Sequence, residues 1–93
     1  MTAYAVVTLN VTDPDMMARY REAAGPAMEK HGVTALHVSP APKQIEGDGP
    51  VPQIIVLLTF PSREAAEAWN TDPEIADVRA MRQNAGESNI FLL

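Results

Sequence analysis

Ile54-Ile55-Val56-Leu57-Leu58-Thr59-Phe60 is the stretch on which the fold turns. Thr59 is its one polar residue, so the in-out alternation of a strand with a wet face is missing. The run is too short for a helix, and Pro52 and Pro61 close it at either end. It therefore predicts a strand whose two faces are both covered. What covers each face is the question the rest of the chain answers.

Downstream, Pro61-Ser62 stops the strand and caps a short helix over Arg63–Trp69. Thr71-Asp72-Pro73 repeats the design and opens a helix from Pro73 to about Asn84, with Ile75, Val78 and Met81 as its apolar stripe. Gly86 ends that helix, and Ser88–Leu93 forms the last strand. Upstream, Pro40, Pro42, Gly47, Gly49, Pro50 and Pro52 make a loop, within which Lys43–Glu46 could extend the sheet edge. Val33–Ser39 forms a strand in which Leu36 and Val38 oppose Ala35, His37 and Ser39. Before it, Asp13-Pro14 starts a helix whose Met17, Tyr20, Ala24, Ala27 and His31 recur at helical spacing, with Gly32 as the left-handed exit. Gly25-Pro26 inside this helix predicts a kink. Tyr4–Val11 is the first strand: Ala5, Val7, Leu9 and Val11 share one face, and Tyr4, Val6, Thr8 and Asn10 the other.

The resulting order, β-α-β-β-α-β, fits a single α+β domain spanning residues 1–93. It resembles a ferredoxin-like sandwich, with two helices on one face of a four-stranded antiparallel sheet. The helices hide only one side of Ile54–Phe60. The other side gathers Val6, Ile55, Leu57 and Phe91 beside Thr8, Asn10, His37 and Thr59. Apolar burial is worth about 25 cal/mol per Å², and exposed apolar faces of this kind are uncommon on monomers. A homodimer joined sheet to sheet about a two-fold axis is expected, against a monomer with a partly polar open face.

Composition narrows the partners. Seven basic residues against twelve acidic give a net charge of −5, and no basic patch exists to meet nucleic acid or an anionic membrane. The longest apolar stretch is too short to span a bilayer, and Met1-Thr2-Ala3-Tyr4 does not open a secretory signal, so a cytoplasmic location is expected. Cysteine is absent, which excludes disulfides, thiolate metal sites and cysteine nucleophiles. His31 and His37 have neither metal-ligand spacing nor a strong carboxylate cluster, so no metal site is expected. No phosphate-binding glycine loop, nucleophile elbow or dinucleotide fingerprint occurs.

Tyr4, Thr12-Asp13-Pro14, Tyr20-Arg21, Ala23-Ala24, Gly32, Ile45-Glu46-Gly47, Phe60-Pro61-Ser62-Arg63-Glu64-Ala65-Ala66 with Trp69, Asp72-Pro73-Glu74 and Arg79 to Arg82 together carry a family likeness. The chain resembles domain-of-unknown-function family 1330, within the dimeric α+β-barrel superfamily, essentially end to end. It departs at Asn70 and Ile75, where members commonly have Tyr, and at His31-Gly32, where many have Gly-Gly. The resemblance implies the fold, a dimer and a small-molecule pocket between sheet and helices. It attaches no reaction.

Two readings of function follow. In the first the chain is an enzyme of isomerase or monooxygenase type, working without metal or organic cofactor. His37, aimed at the open face and able to titrate near neutrality, is its candidate proton-transfer residue, with Arg82 as an anion anchor and Thr8 and Asn10 orienting the substrate. Thr59 and Trp69 complete the candidate ligand-binding set. In the second the chain is a non-catalytic dimer that holds a metabolite or meets another protein. Each residue also has a structural reading: His37 at the dimer seam, His31 as a helix C-cap, Glu46 and Asp48 in a solvated loop, and Trp69 in the core. On that reading Arg79 and Arg82 form surface ion pairs with Glu74 or Asp77.

Overall fold

A computed structural model describes residues 1–93. Its elements are β1 (Ala3–Val11), α1 (Pro14–Lys30), β2 (Thr34–Ser39), β3 (Ile54–Phe60), α2 (Arg63–Thr71), a 3₁₀ turn (Pro73–Ile75), α3 (Ala76–Asn84) and β4 (Gly86–Leu92). The strands form one sheet in the order β2-β3-β1-β4 with every neighbour antiparallel, the ferredoxin-like arrangement. β3 lies inside the sheet, between β2 and β1, as its unbroken apolar run requires.

Register assigns the faces. Ala3, Ala5, Val7 and Leu9 of β1 stand opposite Phe60, Leu58, Val56 and Ile54 of β3 and point toward the helices. These residues join Met17 and Ala27 of α1, Ala66 and Trp69 of α2, and Ile75 in the core. The intervening residues make up the open face: Thr8 opposite Ile55, Val6 opposite Leu57 and Tyr4 opposite Thr59, with Phe91 beside Val6.

The caps form where the sequence puts them. Asp13 accepts from the Met16 N–H, Ser62 from the Ala65 N–H and Asp72 from the Glu74 N–H, each satisfying a backbone donor at a helix start. Gly32 leaves α1 at φ 67°. α1 runs continuously from Pro14 to Lys30 with Pro26 inside it. Gly25 before that proline lacks the Cβ that would crowd the ring in a helical backbone.

Three details depart from the expected layout. Lys43–Glu46 forms no strand; those residues are exposed in a loop that returns to the sheet only near Gln53. There the Gln53 N–H donates to Asn10 Oδ1 at 3.0 Å, and the Val11 N–H donates to Gln53 Oε1 at 2.9 Å. The helix expected from Pro73 to Asn84 divides, because Ile75 leaves the helical region (φ −112°, ψ 18°) as its side chain buries. Finally, β2 does not alternate. Ala35 opposes Leu58 while His37 opposes Leu57, so Leu36 is the extra residue of a bulge. Ala35 and Val38 therefore share the helix side, and His37 keeps the open side.

Candidate functional site

α1 presents Ala24 to the sheet, and β2 presents Ala35 in return. Neither side chain is long enough to close the gap between α1 and the β2–β3 edge. The result is a cavity of about 260 Å³, walled by Val7, Leu9, Ile54, Val56 and Leu58 below and by Met17, Tyr20 and Met28 above. Trp69 and Arg82 line its inner end. Ala35, Val38 and Arg21, all exposed, mark the mouth under the edge strand.

Arg82, a candidate anion anchor in the sequence, departs from the alternative reading of a surface ion pair. α3 carries it inward, and it is only 4% exposed. It makes no ion pair with Glu74 or Asp77. Its guanidinium carbon lies 5.2 Å from the Trp69 ring centre and 5.6 Å from that of Tyr20, within cation–π range of both. Nη1 donates to Tyr20 Oη at 3.3 Å, while the buried Nε has no hydrogen-bond partner. No carboxylate lines the cavity, and Arg21 adds a second positive charge at its mouth. Desolvating a cation without a counterion is costly, since the protein interior replaces little of its hydration.

The sequence-based candidates separate onto two faces. Trp69 and Arg82 line the cavity. Thr8, Thr59 and His37 lie on the open side of the sheet, in register with Ile55, Tyr4 and Leu57. His37 and Arg82 thus share no cavity. Asn10 is also on that side and is already engaged: besides accepting from Gln53, its Nδ2 approaches Glu87 Oε2 at 3.5 Å. Tyr20, which the sequence offers only as one of the helically spaced residues of α1, stands beside Arg82. The signal for the inward place of Arg82 was available, because Arg82 follows Val78 by four residues and Ile75 by seven, on the apolar stripe of its helix.

A second polar cluster is structural. Asp72 Oδ2 accepts from Lys30 Nζ at 2.7 Å and hydrogen-bonds His31 Nε2 at 2.8 Å, tying the end of α1 to the turn after α2. Those bonds, from Lys30 first, then His31 and the Glu74 N–H, hold the Asp72 carboxyl far below the usual carboxylate range. Bonds to Asp72 and then Glu74 raise Lys30 above its ordinary value. His31 is the C-cap of α1, as expected. Arg79 caps α2, donating from Nη1 to the carbonyls of Asp72 at 2.7 Å and Trp69 at 3.3 Å. The structure gathers no group of three or more His, Asp or Glu side chains suited to a metal ion. No helix is long and apolar enough to cross a membrane.

Comparison with known proteins places this architecture. A protein of unknown function from Rhodopseudomonas palustris superposes with a TM-score of 0.78 at 18% identity, over 99% of this chain and 80% of that one. A dimeric ferredoxin-like protein of unknown function from Jannaschia sp. CCS1 gives 0.69 at 22% identity, over 100% and 98%. A cofactor-independent oxygenase from Streptomyces nogalater gives 0.55 at 7% identity, over 99% and 88%, a likeness of fold. Among curated proteins, no sequence matches. Residues 2–93 match the family described as Domain of unknown function (DUF1330), and the chain belongs to that family.

Proposed function

We propose that this protein is a homodimer, each subunit of which holds a small, mainly apolar molecule in the cavity between α1 and the sheet. The observation that carries the binding reading is Arg82: a guanidinium buried beside 260 Å³ of space with one of its donors unpartnered. A fold selected for stability alone would fill that space and avoid the buried charge. An engineered cavity of ~150 Å³ admits benzene, so a two-ring molecule fits the present volume.

The dimer reading rests on the open face, where Val6, Ile55 and Leu57 meet Tyr4 and Phe91, which are 44% and 58% exposed. The Jannaschia relative, itself dimeric, supports the same assembly. A catalytic version of the site, of isomerase or monooxygenase type, would use Arg82 to stabilise charge developing on a substrate oxygen. The distant oxygenase neighbour favours that version by fold alone. His37 has no part in either version, because it lies across the sheet from the cavity.

The test is a thermal-shift screen with small aromatic acids, amides and lactones, since a ligand that binds the folded state raises Tm by mass action. Wild type and His37→Ala are expected to share the same shifts. Ala35→Phe, which fills the mouth from an exposed position, is expected to lose them. Shifts that persist undiminished in Ala35→Phe would move the site elsewhere.

A further inference from the structure

We propose that the ligand of this cavity is a flat monocarboxylate whose carboxylate seats on Arg82; the assignment rests on the binding reading above and names its substrate class. The geometry of the guanidinium points there. Nη1 is committed to Tyr20 Oη, and Nε is buried without a partner. Tyr20 takes one Nη1–H and no protein group takes the Nε–H, which a guanidinium carries parallel to an Nη2–H; two parallel N–H donors on one edge match the two oxygens of a carboxylate.

Charge gives the same answer independently. The chain carries a net charge of −5, yet its largely apolar cavity contains two arginines and no acid. Lys30 is neutralised by Asp72 and Glu74, whereas Arg82 has no anionic partner. A single buried cation calls for a single negative charge, which favours a monoanion over a phosphate dianion. The body of the ligand follows from the walls, which are mainly hydrophobic and carry the Trp69 and Tyr20 rings close to the guanidinium.

Isothermal titration at pH 7 with naphthalene-2-carboxylate and naphthalene-2-carboxamide tests this, because the pair differs in charge at nearly constant shape. Wild type is expected to bind the acid about tenfold more tightly than the amide, as a bond to a charged group requires. Arg82→Met is expected to keep the amide affinity and lose the preference for the acid. Arg82→Gln provides the same comparison if the methionine variant does not fold, and the wild-type acid–amide contrast needs no variant. Equal affinity for both probes in wild type would overturn the carboxylate assignment and leave the cavity reading intact. An acid preference that survives in Arg82→Met or Ala35→Phe would also overturn it. If neither this pair nor the smaller cinnamate and cinnamamide pair binds, both the assignment and the cavity reading fall.

Discussion

Arg82 sits where stability and binding pull apart. Its neighbours return some cation–π attraction, but its charge is desolvated and only Tyr20 accepts a side-chain bond from it. Methionine has a similar reach and no charge to desolvate. Arg82→Met is therefore expected to hold or raise the wild-type Tm, by up to ~2 kcal/mol of stability, in a melt without ligand. A large loss would mean that the guanidinium is part of the packing itself. Asp72 behaves in the opposite way. Its carboxyl titrates well below the ordinary value because Lys30, then His31, then the Glu74 N–H bond its ionised form. A depressed folded value contributes stability that is complete above the unfolded pKa, about 4, and declines as pH falls toward the folded value. Asp72→Asn should be less stable than wild type at pH 7, with a gap that narrows steadily below about pH 4 in melts taken across the acid range. A gap absent at every pH would assign Asp72 to capping alone, since Asn caps as well as Asp. The raised value of Lys30 acts at the other extreme: its contribution is present below its unfolded pKa and is lost as pH rises through the folded value.

Two sites test how the elements are built. Pro26 sits within α1, is exposed and can give no N–H to the helix. Pro26→Ala restores that donor and is expected to stabilise by about 1–3 kcal/mol in chemical denaturation. Gly86, at the start of β4, is the reverse case: a Cβ there would lie 1.9 Å from the backbone oxygen of Asn10. Gly86→Ala should cost about 3 kcal/mol, because a backbone atom cannot swing aside as a side chain can. These local features also show what the linear sequence discloses. Asp13-Pro14, Ser62, Asp72 and Gly32 act within a few residues of themselves, so the element starts and exits could be read directly. The bulge at Leu36 could not, because it exists only in the pairing of β2 with β3. That one residue moves Ala35 to the cavity side. Arg82 could be read as an anion anchor, and its spacing from Ile75 and Val78 puts it on the apolar stripe; its contacts with Tyr20 and Trp69 could not be read, because they exist only in the packing of α3. Thr8, Thr59 and His37 were assigned correctly to the open face, yet a pocket between sheet and helices cannot include that face.

At the scale of the whole molecule, the chain is a slab of 36 × 33 × 17 Å, one layer of helices on one sheet. Monomeric proteins of 10.1 kDa expose about 5,300 Å², whereas this chain exposes 6035 Å². Part of that excess is the open sheet face, the surface assigned to the dimer. Phe91→Asp introduces a charge at an exposed position of that face and should leave the subunit folded. Light scattering is expected to give twice the chain mass for wild type and the single-chain mass for the variant. A wild-type mass of 10.1 kDa at tens of micromolar would remove the dimer.

The mouth of the cavity lies under the outer edge of β2, between Ala35, Val38 and Arg21, with the full thickness of the sheet between it and the open face. In the proposed dimer a molecule can enter or leave there while the two subunits stay joined. Loading is then a private event for each subunit: titrations should follow a simple hyperbola with a Hill coefficient of one, and the midpoint should stay fixed when the protein is diluted until its dimers separate.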